Sequence, residues 1–147
     1  MRIAIGCDHA GLTLKQSVMG VLSELGHEYQ DFGCHDTVSV DYPDISQKVS
    51  QAVAGGGFEQ GILICSTGIG MSMSANKVPG IRAALCHDTF SAHRTREHNN
   101  ANVLCLGASV VGLGLAEEIV RTYLAAAFEG GRHLRRVEKM LALEKNL

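Results

Sequence analysis

The chain has 147 residues, 46% of them hydrophobic and 19% charged, with a formal net charge of −2. That length allows one domain with one core, and the apolar share excludes a disordered chain. Near-neutral charge argues against a general nucleic-acid binder, and no apolar run reaches the length of a membrane span.

In chain order, Arg2 to Gly6 reads as a first strand. It comes directly after the N-terminus, without the apolar region and small-residue cleavage site of a signal peptide. Leu14, Val18, Val21, Leu22 and Leu25 recur at helical spacing, and Gly26 supplies a C-cap. His27 to Phe32 is a weaker second strand, followed by a polar loop from Gly33 to Pro43 that carries Asp36 and Asp41. Asp44 to Ala54 reads as a helix closed by Gly55-Gly56-Gly57. Gly61 to Cys65 is the clearest buried strand, and Ser66-Thr67-Gly68-Ile69-Gly70 opens a short helix running to Lys77. Ile81 to Cys86 is a fourth strand, Thr89 to His98 a helix, and Asn102 to Leu106 a fifth strand. Gly112 to Phe128 forms a long helix with an apolar face. After Glu129-Gly130-Gly131, Arg132 to Leu143 forms a charged amphipathic helix.

Strands alternating with helices make βαβ units, hence an α/β fold with a parallel sheet covered on both faces. No repeat, low-complexity tract or linker interrupts the pattern, so residues 1–147 read as one domain. The five cysteines, Cys7, Cys34, Cys65, Cys86 and Cys105, are odd in number and scattered. That argues against a disulfide framework and for reduced thiols in a cytosolic protein. Cys65, Cys86 and Cys105 sit in or at the end of apolar strand-like runs, and any one of these three is equally read as a small buried core residue.

Parallel α/β sheets bind ligands outside the carboxyl ends of their strands, so the loops leaving those ends carry the functional signal. Asp8-His9 comes after the first strand, Ser66 to Gly70 after the third, His87-Asp88 after the fourth and Gly107-Ala108-Ser109 after the fifth. In the loop beyond the third strand two glycines let amides face a ligand, and the helix start adds its dipole. Such a nest holds a phosphate or an oxyanion. A helix N-terminus also favours the thiolate of a cysteine placed there, making Cys65 a candidate base or nucleophile. The competing reading is a plain strand-to-helix turn beside a buried thiol. The spacing fits neither a Walker A loop nor a dinucleotide fingerprint.

Asp8 and His9 could form a catalytic or sugar-binding pair, or Asp8 could simply cap the next helix. His98 could act chemically or only pair with its helix dipole. Asp8, His9, Cys65 and His98 lack the ligand spacings of known metal sites, so no metal centre is expected from them. Arg132 and Arg136 lie one turn apart, with His133 beside them. Two guanidinium groups on one face suit a phosphate, while a solvated charged face is the plainer alternative. This helix comes after the last strand and is free to reach a second subunit.

Taken together and in order, these pieces resemble the ribose-5-phosphate isomerase B family, which includes galactose-6-phosphate and allose-phosphate isomerases. The resemblance rests on Gly6-Cys7-Asp8-His9-Ala10-Gly11, Asp41-Tyr42-Pro43, Gly61 through Gly70 and Ala75-Asn76-Lys77. It continues through Glu97-His98-Asn99, Asn102-Val103-Leu104 and Phe128-Glu129-Gly130-Gly131-Arg132-His133. It implies a three-layer α/β/α Rossmann-like fold with a parallel sheet of order 2-1-3-5-4. It also implies a homodimer or tetramer with active sites at the subunit interface, completed by the last helix of the other copy.

The resemblance further implies a cytoplasmic, cofactor-free enzyme of the pentose phosphate pathway that converts ribose 5-phosphate to ribulose 5-phosphate through an enediolate. In it His98, helped by Asp8, opens the sugar ring. Cys65, assisted by Thr67, moves a proton between C2 and C1, and the amides of Ser66, Thr67, Gly68, Ile69 and Gly70 hold the enediolate oxygen. His9 and Asn99 bind the sugar, and Arg132 and Arg136 clamp the phosphate. Two departures stand out: Ser66 follows the cysteine where relatives often have glycine, and Ser109 stands where many relatives carry a substrate-contacting arginine. A hexose-phosphate isomerase is the alternative within the family. A non-catalytic phosphate-binding module is the alternative outside it, disfavoured because mere binding needs no base.

Overall fold

The computed structural model describes residues 1–146. In chain order it contains β1 (Arg2–Cys7), α1 (Leu12–Glu24), β2 (Glu28–Asp31), α2 (Tyr42–Ala54), β3 (Gln60–Cys65), α3 (Ile69–Ala75), β4 (Ala83–Leu85), α4 (Thr89–Asn99), β5 (Val103–Gly107), α5 (Leu113–Ala125) and α6 (Arg132–Ala142), with short 3-10 turns at His9–Gly11 and Leu143–Asn146. All strand pairs are parallel, and the order across the sheet is β2-β1-β3-β5-β4, as expected.

Successive strand residues point to opposite faces, and both faces are covered, which explains the near-continuous apolar runs. Ile3, Ile5, Ile62, Ile64, Leu104 and Leu106 pack toward α1 and α5. Ala4, Leu63, Cys65, Val103 and Cys105 pack toward α2 and α3. The catalytic candidate Cys65 therefore points to the α2–α3 side. Full burial of each large side chain in these layers is worth roughly 1.5–3 kcal/mol. Gln60 is a buried polar group in β3, and the Tyr123 hydroxyl satisfies it by donating to its side-chain oxygen at 2.7 Å. Lys15, 1% exposed, is held by Asp31 at 2.7 Å and by the Cys34 carbonyl.

Several boundaries differ from the sequence reading, three of them with a clear physical reason. Helix α2 begins at Tyr42 rather than Asp44, because extended Asp41 is its N-cap and Pro43 falls in the first turn, where no amide partner is needed. Helix α5 ends at Ala125 rather than Phe128, where Ala126 turns extended. Strand β4 is reduced to three residues at the sheet edge. There Asn76 takes the place of a further strand, accepting from the Ala83 N–H at 2.8 Å and donating to its carbonyl at 2.9 Å. A covered edge of this kind discourages edge-to-edge pairing.

The parallel sheet gives the molecule two functional ends. Cys7, Cys65 and Gly107 close their strands at the carboxyl edge. Helix α4 starts just beyond β4, capped by the Asp88 side chain, and runs back toward the amino edge. Asn100 and Asn102 there bond Arg82, just before β4. Helix α6 packs against α4, and Glu144 just beyond it accepts the Gly80 N–H at 3.0 Å. Among the described residues no helix is long and apolar enough to cross a membrane.

Candidate active site

Strands β1 and β3 are adjacent, so the Asp8 loop abuts the Cys65 loop, and the Asp8 N–H donates to the Ile64 carbonyl at 3.1 Å. Asp8 is buried and its carboxylate caps the Ala10 N–H at 3.0 Å. His9 accepts the Val40 N–H on Nδ1 at 3.3 Å, which fixes the ring and leaves Nε2 for other partners.

In the next loop Gly68 takes φ +74°, a conformation that aims its N–H at the Cys65 sulfur, 3.1 Å away. The turn fits only glycine: a Cβ there would sit 2.5 Å from the Leu85 side chain and 2.8 Å from the Leu106 backbone. Thr67 is exposed, and its hydroxyl accepts the Ile69 N–H at 3.3 Å. The Gly68 and Ile69 amides expected to face an oxyanion are thus engaged locally. Among the described residues, the Gly70 and Met71 amides remain without backbone acceptors at the start of α3. Gly70 lies against the Tyr42 ring, which would stand 2.6 Å from a Cβ.

The loop after β5 is joined to this one. Ala108 and Ser109 donate their N–H groups to the Cys65 and Ser66 carbonyls, at 2.8 Å and 2.9 Å. The Ser66 and Ser109 hydroxyls meet at 2.9 Å. Sequence reasoning left Tyr42 out of the site, although it stands in the Asp41-Tyr42-Pro43 motif, and it marked Ser109 only as a departure from the arginine of many relatives.

The remaining candidates lie elsewhere. His98 and Asn99 end α4, whose 11 residues span about 16 Å from the carboxyl edge. His98 stacks on His133 of α6, with ring centroids 4.0 Å apart and planes 8° apart. A cavity of about 240 Å³ is lined by His98, Asn99, His133, Arg136, Val137 and Met140. Arg132 borders the group, its Nε 3.5 Å from His133 Nε2. His133 is buried, and desolvation, with His98 and the two arginines adding to it, holds its pKa below the ordinary histidine value. Nothing in its sequence position singled out His133 as the ring that backs His98. A larger cavity of about 450 Å³, between β4 and α6, is walled mainly by apolar groups such as Ile81, Met140 and Leu143 and lies away from the Cys65 loop.

One chain therefore gathers Asp8, His9, Cys65, Ser66, Thr67, Gly68, Ile69 and Gly70 at the carboxyl edge. It gathers His98, Asn99, Arg132 and Arg136 at the amino end of the sheet. Within one chain α4 carries His98 a helix length away from Asp8. The same separation removes any metal set made of Asp8, His9, Cys65 and His98.

The sheet order and the thiol loop at its carboxyl edge are those of an aldose–ketose isomerase. The model of the Ribose/Galactose Isomerase family matches residues 3–140, and the chain belongs to that family. It is 49% identical to ribose-5-phosphate isomerase B of Escherichia coli, over 98% of this chain and 97% of that one. It is 46% identical to the D-erythrulose-4-phosphate isomerase of Pectobacterium atrosepticum, over 95% and 93%. The structure of Clostridium thermocellum ribose-5-phosphate isomerase B superposes with a TM-score of 0.98, at 53% identity and 99% coverage of both chains.

Proposed function

We propose that this isomerase interconverts ribose 5-phosphate and ribulose 5-phosphate in the cytoplasm, without a cofactor, as a step of the pentose phosphate pathway, in a homodimer whose two copies complete each other's sites. The observation that carries this reading is the division of the candidate residues between the two ends of the sheet. Neither end suffices alone. The Cys65 loop offers a base and amides but lacks a cationic clamp, while the α4–α6 end offers two arginines and a histidine but lacks a thiol. A second copy presenting its α4–α6 end to the Cys65 loop unites them.

In the united site Arg132 and Arg136 of one copy hold the phosphate by charge-assisted hydrogen bonds. His98 protonates the ring oxygen as Asp8 accepts the proton of the C1 hydroxyl, and the ring opens to the aldehyde. The Cys65 thiolate then removes the C2 proton, and the electron pair forms the C1–C2 double bond of an enediolate. Thr67 assists the thiol, and the open amides at Gly70 and Met71 face the oxygen that gains charge. A donor there is worth roughly 3 kcal/mol. The proton on O2 passes to O1, and the Cys65 thiol returns its proton to C1 as the C2 carbonyl forms, which gives the ketose. A positioned base contributes roughly 10²–10⁴-fold to such a step.

The test is turnover of the purified protein on ribose 5-phosphate, allose 6-phosphate, galactose 6-phosphate and a tetrulose 4-phosphate. The pentose phosphate is expected to give the highest kcat/KM. A higher value on a hexose or tetrose phosphate overturns the substrate, and binding without turnover on all four overturns the enzyme reading.

A further inference from the structure

The α4–α6 end carries a second constellation that sugar-phosphate chemistry does not require. Glu129, from the loop before α6, and His133, in its first turn, face His98 across the helix pair. One ligand atom from each of the three lies within 4.8 Å of the other two. The loop is tied to α4 by the Glu129 N–H, which donates to the Glu97 carbonyl at 3.0 Å. His133 Nε2 and a Glu129 carboxylate oxygen are 3.4 Å apart. Tetrahedral zinc with bonds of about 2.0–2.1 Å places its ligand atoms about 3.3 Å from one another, so this pair already stands at ligand separation.

We infer that His98, His133 and Glu129 form a binding site for a divalent first-row transition ion, with zinc as the representative, and that occupancy inhibits the enzyme. Two imidazoles and a carboxylate are the donor set such ions prefer over magnesium or calcium. His98 lies flat on His133, with centroids 4.0 Å apart and planes 8° apart, so the two rings must splay for both nitrogens to meet one ion, and the site then keeps a fourth position for water or a phosphate oxygen. His133 is 4% exposed, so its ring is held in place by packing.

Three guanidinium groups oppose the ion, Arg136 from the lining of the same cavity and two closer ones. Arg94 NH1 lies 3.4 Å from His98 Nε2, and Arg132 Nε lies 3.5 Å from His133 Nε2. Arg94 is already drawn toward Glu97 at 2.8 Å, and both arginines are exposed and can swing into water. This opposition makes the site reversible and inhibitory rather than structural. An ion on His98 takes the ring nitrogen that must carry the proton for ring opening, and it fills the space of the phosphate, so it competes with substrate.

Binding does not depend on the proposed activity; the inhibition does. The protein is first studied as Cys65→Ser, which removes the carboxyl-edge thiol as a rival ligand. Cobalt(II) is expected to give visible bands of low-coordinate nitrogen and oxygen ligation, without a thiolate charge-transfer band. Adding Glu129→Gln should weaken cobalt binding at least about tenfold, since losing even an outer partner of a metal ligand costs roughly 10–100-fold. His133→Gln should do the same, and Glu129→Gln, at a half-exposed position, keeps the test valid if the buried variant fails to fold. In protein with a native thiol, zinc should inhibit competitively with sugar phosphate, chelator should restore activity, and Glu129→Gln should raise the inhibition constant by the same factor. Cobalt affinity unchanged by Glu129→Gln overturns the site. Zinc inhibition that Glu129→Gln leaves unaltered overturns the inhibitory role, whether or not cobalt binds.

Discussion

The Gly68 N–H points at the Cys65 sulfur from 3.1 Å, and this contact exists because Gly68 alone in the loop takes a left-handed turn, φ +74°. An N–H directed at sulfur from the start of a helix stabilises negative charge there. A residue in the middle of a strand would not gain this donor, so the end of β3 is where a thiol can serve as a base.

Cys65→Ala is therefore expected to abolish nearly all isomerase activity while the thermal transition stays close to that of the wild type. The small side chain sits at the end of a strand already packed by Leu63 and Cys105. Steady-state kcat on ribose 5-phosphate checks this. More than about a tenth of wild-type kcat remaining in the variant is too much for the loss of a base worth roughly 10²–10⁴-fold, and would remove Cys65 from that role.

Gly68→Ala separates the thiol from its donor without touching the thiol. The new methyl would meet Leu85 at 2.5 Å and the Leu106 backbone at 2.8 Å, so the turn must move. Overpacking of this kind costs roughly 1–3 kcal/mol. The expected result is a lowered Tm together with a kcat loss that persists well below the transition temperature. Normal kcat in the folded variant would mean the amide–sulfur contact has no catalytic weight.

The separation of His98 from Cys65 within one chain makes a stronger test of the shared site than either residue alone. Mixed Cys65→Ala and His98→Ala subunits should regain about a quarter of wild-type activity after random exchange in a two-fold dimer, because half the dimers carry one intact site of two. Mixed His98→Ala and Arg136→Ala subunits should regain nothing, since both changes fall on the same end and no pairing restores it. Recovery in the second mixture, or its absence in the first after verified exchange, would contradict a site built from opposite ends of two copies.

How much of this is legible in the sequence depends on which interactions are local. The strands and the Gly68-containing loop come from short-range patterns: apolar runs, a strand-to-helix turn, glycines where the backbone must bend; the sheet order comes from the family resemblance alone. Asp8 and Cys65 fall together in the sequence reading because adjacent strands end at the same edge. The distance of His98 from Cys65 within one chain is not legible there, because it depends on the direction of α4, and a motif read along the chain does not carry direction in space. The contacts of Ser109 and His133 escape it for a related reason. Their partners, Ser66 and His98, are 43 and 35 positions away, and the contacts exist only once β5 lies beside β3 and α6 lies on α4.

Burial sets an alkaline limit on stability. Desolvation raises the Cys86 thiol to about 11 and Cys7 to about 12, and pushes Cys105 and the Tyr123 phenol up as well. The unfolded chain ionises its thiols from about pH 8.5, while the folded chain keeps these protonated. Their contribution is whole below that value and is lost as pH rises through the folded values. Tm should thus fall from about pH 9 toward 11, and Cys86→Ala should flatten that fall while lowering Tm at neutral pH. Parallel Tm–pH curves for the two proteins would show that Cys86 stays protonated equally in both states.

The loop after β5 decides the last prediction. Its Ser109 hydroxyl meets that of Ser66 at 2.9 Å, one residue beyond the thiol, so position 109 borders the proposed sugar site. In the proposed shared site an arginine there would place a third cation beside Arg132 and Arg136 of the second copy, and a charge-assisted hydrogen bond is worth roughly 1.5–3 kcal/mol. Serine is short and neutral, so the proposed site is roomier with it and would hold its anion with two guanidinium groups. If the substrate is ribose 5-phosphate, Ser109→Arg should lower KM and leave kcat nearly intact, because the added contact is equal in ground and transition states. If the extra room serves a six-carbon sugar phosphate, the same change should cut kcat/KM for allose 6-phosphate more than for ribose 5-phosphate. The first outcome is expected. A wild-type preference for the hexose phosphate that the arginine abolishes would reassign the substrate, and equal kinetics before and after the change on both sugars would show that position 109 does not face the ligand.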